Sequence, residues 1–510
     1  MSVYVLEFID CRMLWNLLGI TVLCVITWLY YRWTCVRQYW AKRGVPHLPP
    51  HPVMGSLTFL QRQNPATWMI NIYKQFKSPY VGAWMFWRPA LIINSPELAR
   101  NILVKDFAFF RDRFLSSGSS DPIGSLNLFT VNDPLWSTVR KRLTGVFTAS
   151  KLRALQNLVD LKSSQLLQRI RNAEDNTKLN LRAIYTDYTT DIIGTAAFGV
   201  ETNATLTGVD PMRTVTQAFT TFDLYRGLCW SSIFFFPELV DIFRFSLFPK
   251  WSIDYFKKVF KIASEHRNDK RTPGDSKDLL DALLKLMDEG AKSNEGITED
   301  VVIAQAAIFL FGGFESTSSI MSVCSYELSF HPEKQDRLYE ELIAVKNQSE
   351  NGHLEISKLA DCQYLNAVMK ESLRKYSPMG WLDRIADKDY KIDENLTISA
   401  GTPVYVNSIG MQYDEEFFHE PEKFIPERFL PENVGNIKPF TFMPFGEGPR
   451  SCIGKRFGQI SLRHAMANLI LNYKFEALPG AKKPSEIKFE KRGLFLVPGQ
   501  ELYIKFIPRS

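Results

Sequence analysis

Residues 445–454 read FGEGPRSCIG, and a helical pattern over 455–471 follows at once. The glycines of this stretch permit backbone conformations that other residues avoid, and they let the chain approach a flat group closely. Amide N–H groups and the dipole at a helix start favour a thiolate over a thiol. The stretch therefore predicts a glycine-rich turn that presents the sulfur of Cys452 to a cofactor.

Upstream of this turn, the pattern Glu371-Ser-Leu-Arg374 places an acid and a base on one face of a predicted helix. Taken alone, such a pair is an ordinary surface ion pair. A second arginine, Arg428, stands between this helix and the cysteine in the segment Pro426-Glu-Arg-Phe429.

The longest helical pattern begins at Thr298, a residue type that caps helix starts, and runs to about Phe330 before His331-Pro332. In its middle stands FGGFESTSS, residues 311–319. Two adjacent glycines, Gly312 and Gly313, cost roughly 1 kcal/mol each inside a helix, so the pattern indicates either close packing or a local opening.

Phe445, Gly448, Arg450, Cys452 and Gly454 fill each position of the pattern FxxGxRxCxG. In this the chain resembles the cytochrome P450 family of haem-thiolate monooxygenases, and most resembles the insect microsomal members of its xenobiotic-metabolising clan. The resemblance implies that Cys452 is the axial ligand of haem b (iron protoporphyrin IX), where a thiolate favours cleavage of the O–O bond. It also implies that the acid and the two arginines upstream form a buried triad.

The same resemblance assigns the groove of the long helix, where Gly312, Gly313 and Glu315 match the family's [AG]GxxT element. Dioxygen would bind there, with Glu315 as the acid and Ser316 as the alcohol that pass protons. Serine stands where the family usually has threonine, and it keeps the hydroxyl without the methyl group that restricts χ1. Because successive helical residues point about 100° apart, we expect only one of Ser316 and Thr317 to face the groove.

Further matches concern the haem propionates, which need cationic partners when they are buried. Trp136 and Arg140 fit the family's WxxxR element, Arg384 matches another propionate arginine, and Arg450 is placed for the same role. Arg113 is a weaker candidate.

The segment from Leu14 to Tyr31 carries no charge and approaches the roughly 20 apolar residues that a membrane-spanning helix needs. A cleaved signal peptide is the alternative, but the segment ends in Tyr-Tyr-Arg-Trp rather than in small residues. Basic residues follow the span, whereas acidic residues precede it, so the bulk of the chain is expected in the cytosol. Sequons at Asn203, Asn347 and Asn395 should then be unused.

We therefore divide the chain into a membrane anchor with a basic flank (1–44), a proline-rich elbow (45–55) and one catalytic domain (56–510). Helical patterns dominate this domain, and strand patterns are short, which predicts a mainly α fold with small β-sheets. The resemblance implies that this is the cytochrome P450 fold, preceded by one N-terminal transmembrane helix. The helical patterns cover 134–147, 155–174, 179–197, 253–268, 278–289 and 332–345, and the strand patterns cover 80–84, 90–93, 402–406 and 502–506. The aromatic-rich stretch 229–251 fits either lipid contact or core.

The expected reaction inserts one atom of O2 into a lipophilic small molecule, either a xenobiotic or an endogenous lipid or hormone. No nucleotide-binding fingerprint is present, so the electrons of NADPH must come through a partner, the endoplasmic-reticulum NADPH-cytochrome P450 reductase, with cytochrome b5 as a second candidate. Lys141, Arg142, Lys455 and Arg456 resemble the family's basic docking face for an acidic reductase, with solvated surface charge as the alternative. Rearrangement or dehydration without a reductase, and haem-based sensing without turnover, stay open. The net charge of +6 over 510 residues gives nucleic-acid binding little support.

Overall fold

The computed structural model describes residues 11–148, 152–268, 279–292, 295–349 and 352–509. The predicted mainly helical architecture is confirmed there, and each predicted helix is present to within a few residues. The longer helices are α1 (Cys11–Arg37), α2 (Pro65–Gln75), α3 (Leu135–Thr144), α4 (Gln156–Arg171), α5 (Leu181–Phe198), α6 (Pro211–Phe219), α7 (Leu224–Phe235), α8 (Lys250–Asn268), α9 (Leu279–Lys292), α10 (Glu299–Ser329), α11 (Pro332–Asn347), α12 (Gln363–Lys375) and α13 (Lys455–Asn472).

The strands form one mixed sheet and two hairpins. Strands β1 (Tyr80–Met85), β2 (Arg88–Ile93), β3 (Leu382–Ile385), β4 (Tyr390–Lys391), β5 (Thr397–Ile398), β6 (Pro403–Val406), β7 (Tyr473–Ala477) and β8 (Ile504–Pro508) follow in chain order. The sheet has the order β1-β2-β6-β3, in which β2 and β6 run parallel and the other neighbours antiparallel. The hairpins are β4-β5 and β7-β8. The four predicted strands all lie among these.

Helix α10 forms the centre of the core. The side chain of Thr298 accepts a hydrogen bond from the Val301 N–H at 3.3 Å, as expected of an N-cap, and the helix runs for 31 residues. Its mean hydropathy of 1.4 is high enough for a membrane span, but 78% of that window is buried. It is therefore an interior helix of the domain.

Helix α1 has the opposite surroundings, since the apolar stretch Leu14–Arg43, with a mean hydropathy of 1.6, has none of its window buried in the protein. The chain then docks on the sheet through Trp40, which is fully buried and donates from Nε1 to the Ala83 oxygen at 3.0 Å. A Cβ atom at Gly82 would lie 2.4 Å from the Trp40 ring, so glycine is required there. The chain is thus fixed against β1 before the proline-rich residues 45–55 begin.

The aromatic-rich stretch 229–251 divides between the two expected roles. In α7, Phe234 and Phe235 are buried in the core, whereas Ile242, Phe243 and Trp251 are 50–69% exposed. The core interpretation is therefore correct for the first half and for Phe248, which is also fully buried, whereas these three apolar side chains lie at the surface.

Candidate active site

The cysteine loop is shaped by its own backbone. The Cys452 N–H donates to the Phe445 oxygen at 2.8 Å, and Gly454 stands at the start of α13. Gly448 has φ +74°, and a Cβ there would lie 2.0 Å from the Leu103 oxygen. The predicted glycine at this position thus lets two stretches of backbone pack together, which fixes the turn that carries the cysteine.

The predicted triad anchors the segment that leads into this loop. Glu371 and Arg374 are fully buried and share two hydrogen bonds of 2.8 Å, and Arg428 Nε lies 3.5 Å from Glu371. Arg374 also donates to the backbone oxygens of Gln412 and Pro421 at 2.8 and 2.7 Å. The triad is confirmed, and it connects α12 to the chain that approaches the cysteine loop.

A cavity of about 290 Å³ lies between α10 and the cysteine loop. Most of its walls are apolar side chains from separate parts of the chain. Eight of the predicted site residues line it: Trp136, Arg140, Ser316, Thr317, Phe445, Arg450, Cys452 and Gly454. The fold thus brings together residues that stand more than 300 positions apart in the sequence.

The side chain of Cys452 is exposed to this cavity rather than to bulk solvent. Removal from bulk water raises the pKa of the thiol, while the Gly454 N–H and the positive charges of Arg140 and Lys455 lower it. The surroundings thus supply both a hydrogen-bond donor and cations for a thiolate, which a bound metal ion would stabilise further.

Four guanidinium groups surround one end of the cavity. Arg113, Arg140 and Arg450 line it, and Arg384 lies just behind, fully buried. Burial and the positive charge of nearby Arg113 lower the pKa of both Arg384 and Arg450 to about 9.

Among the described residues, two carboxylates form ion pairs with these four cations. Asp383 pairs with Arg113 at 3.1 Å, and Asp112 lies 3.4 Å from Arg450. The Nε atoms of Arg113 and Arg384 are buried without a hydrogen-bond partner. Arg140 and Arg384 thus have no ion-pair partner among the described residues, and a cofactor with two carboxylate groups would satisfy both arginines and the free donors.

The arginine of the cysteine loop already has protein partners. Its guanidinium donates to the backbone oxygens of Arg111 and Val131 and lies over the Trp136 ring, 4.2 Å from its centroid. Arg450 therefore fixes the loop to the chain before α3, in addition to the propionate contact predicted for it.

The two glycines of α10 have different roles. A Cβ at Gly313 would lie 2.6 Å from Ile193, so this glycine permits close packing of α10 on α5. A Cβ at Gly312 would meet no atom within 4 Å, and Gly312 lines the cavity. Close packing is thus confirmed for Gly313, whereas the local opening is not seen, because α10 continues through Gly312 as a regular helix.

Ser316 Oγ donates to the Gly312 oxygen at 2.6 Å, one turn back along the helix. This leaves the oxygen lone pairs of Ser316 for a partner in the cavity. Thr317 also lines the cavity, with Oγ1 3.6 Å from where a Cβ of Gly458 would be. The expectation that only one of these neighbours faces the groove is therefore wrong, because the cavity extends around α10 to α13.

Glu315 does not share this cavity. Its carboxylate is buried on the far side of α10, where Oε1 accepts from Arg182 Nη2 at 2.7 Å. The acid and the alcohol of the predicted proton path thus face different spaces, although they are adjacent in sequence.

The sequence did not indicate several lining residues, among them Phe147, Ile193, Leu373, Phe457, Gly458 and Leu462. Three of them share one face of α13, at 457, 458 and 462. The helical spacing after Cys452 was the available signal, since residues one turn past the ligand must lie near it.

Comparison with known proteins gives a consistent result. The sequence model of the family described as Cytochrome P450 matches residues 45–506. Cytochrome P450 6k1 of Blattella germanica is 32% identical to this chain and covers 98% of both sequences. Cytochrome P450 6l1 of Blattella germanica is 33% identical over 92% of this chain and 93% of its own, and cytochrome P450 6a2 of Drosophila melanogaster is 32% identical over 95% and 98%.

Proposed function

The chain belongs to the cytochrome P450 family, and we propose that it oxidises a lipophilic small molecule with O2 and electrons from NADPH. The class of enzyme, a haem-thiolate monooxygenase, follows from the family. The substrate and the source of electrons are our proposal. The observation that supports it is the cavity in which Cys452 faces apolar walls. Four arginines lie at one end of this cavity, and two of them have no ion-pair partner among the described residues.

The chain's own residues fit haem b. Cys452 would hold the iron, and Arg140, Arg113 and Arg384, beside Trp136, would hold the propionates. Bound there, haem supplies the activation of dioxygen that no amino-acid side chain provides. Ser316 would move protons into the cavity, with Thr317 as a neighbour that also reaches it and Glu315 as the predicted acid. Phe445 and Gly454 would pack near the sulfur, and Gly448 would keep the loop in place.

The walls of the cavity define the class of substrate. Leu128, Phe129, Ile308, Phe309 and Met379 contribute apolar surface to it, and the guanidinium of Arg113 lies 4.4 Å from the centroid of the Phe129 ring. Such walls favour a lipophilic molecule, since each buried apolar Å² contributes about 25 cal/mol. They select by shape rather than by charge.

We assign the electron-transfer partner to the face beside Cys452. Lys141, Lys455 and Arg456 are exposed there, whereas Arg142 is paired with Glu289 and Glu295 and is not available as predicted. Three exposed cations suit the acidic surface of an NADPH-cytochrome P450 reductase, or of cytochrome b5.

We also propose that α1 spans the endoplasmic reticulum membrane with residues 56–510 in the cytosol, and that the exposed side chains of Ile242, Phe243 and Trp251 touch its surface. The sequons test this orientation sharply, because Asn203, Asn347 and Asn395 are all exposed and would be modified in the lumen. Expressed in an animal cell, the protein should keep its gel mobility after endoglycosidase treatment. A shift would reverse the orientation.

The proposed reaction is tested with full-length protein in membranes. We expect the reduced carbonyl spectrum of a thiolate-ligated haem, and NADPH consumption that requires added reductase and rises with a lipophilic substrate. The same spectrum with product formed in the absence of reductase would favour a rearrangement or dehydration. The spectrum without turnover of any kind would favour a sensor.

A further inference from the structure

A second cavity of about 10 Å³ lies on the other side of α10. Its walls are the rings of Phe219, Phe222, Trp230, Phe311 and Phe495, and Glu315 is the charged residue among them. This volume is close to the smallest that holds one water molecule, or one hydroxyl group of a ligand.

Glu315 brings an unsatisfied acceptor to this cavity. The residue is 2% exposed, and its Oε1 is bound to Arg182, but Oε2 has no hydrogen-bond partner among the described residues. A buried carboxylate oxygen without a donor is costly, so this atom favours any donor that reaches it.

The donor that suits this site is neutral. Arg182 already supplies one positive charge to the carboxylate, and its guanidinium lies 5.2 Å from the centroid of the Phe222 ring. An ammonium group would place a second, uncompensated cation beside Arg182. A hydroxyl group satisfies Oε2 without adding charge.

Phe495 connects this cavity with the larger one, because its side chain lines both. Its ring stacks on Phe311 with 5.5 Å between centroids, and Phe311 stacks on Trp230 at 5.4 Å. Phe311 and Trp230 are buried, whereas Phe495 is only partly buried. Phe495 is thus the least buried ring of this stack.

We propose that Glu315 Oε2 binds a hydroxyl group at one end of the lipophilic substrate, while the reacting end lies in the Cys452 cavity. Phe495 is the specificity-determining side chain between them, and its rotation joins the two cavities. This inference rests on the proposed function, whose substrate class it narrows to elongated molecules with a terminal hydroxyl. The role of Glu315 here is in binding and is separate from the proton transfer predicted for it.

The test compares two probes that differ in one donor, 1-dodecanol and 1-methoxydodecane. Equilibrium dialysis of the labelled probes against full-length protein in nanodiscs, with protein-free nanodiscs subtracted, measures binding without turnover. We expect the alcohol to bind about tenfold more tightly than the ether, since a hydrogen bond to a charged group is typically worth that ratio or more.

Two variants locate the effect. Phe495→Trp enlarges the ring between the cavities, and in this variant the alcohol and the ether should bind with about equal affinity. Glu315→Gln keeps an acceptor for Arg182 but turns an amide N–H toward the second cavity, so the preference should vanish or reverse. The matched control is Phe129→Trp, which narrows the larger cavity alone and should weaken both probes equally.

Each outcome decides the question. Equal binding of the two probes by the wild-type protein overturns the inference, and so does an unchanged preference in Glu315→Gln. If Phe495→Trp still binds the alcohol more tightly than the ether, Phe495 does not determine specificity and is removed from the inference. Failure of the proposed function looks different, because it is seen in the carbonyl spectrum and in NADPH consumption, neither of which the dialysis measures.

Discussion

On one side of the Cys452 cavity the chain is held by directional contacts between charged groups, whereas on the other side it is held by aromatic rings. On the cofactor side, Glu371 and Arg374 make bonds of 2.8 Å to each other, and Arg374 makes further bonds to backbone oxygens. Hydrogen bonds between charged groups are directional, so each of them fixes the relative position of the two groups that it joins. These bonds thereby hold the sulfur of Cys452 in one position.

On the distal side, contact is by stacking and edge packing. The ring of Phe219 lies 5.1 Å from that of Phe248 and 5.8 Å from those of Phe256 and Phe311, centroid to centroid. Such contacts contribute through buried area and tolerate several arrangements. The comparison indicates that the cofactor position is fixed while the substrate space is adjustable.

The largest effect is expected from the sulfur itself. Cys452→Ser replaces a soft thiolate by a poor ligand, so the carbonyl band typical of thiolate ligation should disappear completely. Arg140 and Arg384 should still bind some haem, which total haem content measures separately. Retention of the band in the variant would mean that another residue holds the iron. The charged contacts on the cofactor side would then not serve to position the iron ligand.

The next effect concerns the triad. Glu371→Gln leaves the buried guanidinium of Arg374 without its anion, and we expect a loss of about 3–5 kcal/mol in the free energy of unfolding. The matched control is Glu476→Gln, which removes the exposed partner of Lys505 and should cost about 0.5 kcal/mol. Chemical denaturation of both variants measures the difference. Equal costs would contradict the directional role of the buried pair.

A distal substitution should cost less. Phe248→Leu keeps an apolar side chain within the aromatic cluster, and we expect a loss of about 1.5 kcal/mol with unchanged haem content. Substrate affinity should shift more than stability does, because neighbouring rings rearrange around the cavity. If Phe248→Leu instead abolished haem binding, the two sides would be equally rigid and the comparison would fail.

The sequence predicted the cofactor side of the cavity, with its charged contacts, better than the distal side with its aromatic rings. The cysteine loop and the Thr298 cap depend on spacing along the chain, which is visible in a sequence, and the triad was implied by the family resemblance. The direction of Glu315 was not predictable in this way, since it depends on Arg182 from another helix. The same holds for Arg142, which meets two acids far along the chain.

The error over Thr317 has a related cause. Helical geometry alone separates neighbouring side chains by about 100°, but the cavity curves around α10 as far as Gly458 on α13. The shape of a cavity depends on the packing of distant elements, which the sequence pattern of one helix does not contain. For the same reason, the sequence does not predict the shape of the substrate space on the aromatic side of the cavity.

A smaller effect is expected at the surface beside the cysteine loop. Reversing the charge of Lys455 and Arg456 to Glu should slow electron transfer from reductase severalfold and flatten its dependence on ionic strength. The control Lys505→Glu changes an exposed charge on the β7-β8 hairpin. Stopped-flow reduction at several salt concentrations separates the two. Unchanged kinetics in the double variant would remove this face from the docking surface.

The smallest effect is expected at Ser316, where the two sides of the comparison meet. The hydroxyl has a directional bond to the Gly312 oxygen at 2.6 Å, yet its lone pairs face the apolar cavity. A proton path needs a hydroxyl held in position, and geometry decides its efficiency before pKa does. Ser316→Ala should bind haem normally and consume NADPH, but it should release a few times more hydrogen peroxide per product.

Ser316→Thr restores the methyl group that restricts χ1, so the ratio of peroxide to product should fall below the wild-type value. Thr317→Val is the matched variant, because Thr317 lines the same cavity and loses only its hydroxyl. If Ser316→Ala leaves the ratio unchanged while Thr317→Val raises it, the proton path runs through Thr317 along the α13 side of the cavity. If neither changes the ratio, neither Ser316 nor Thr317 carries the proton, and a reaction without reductase becomes the better account of this site.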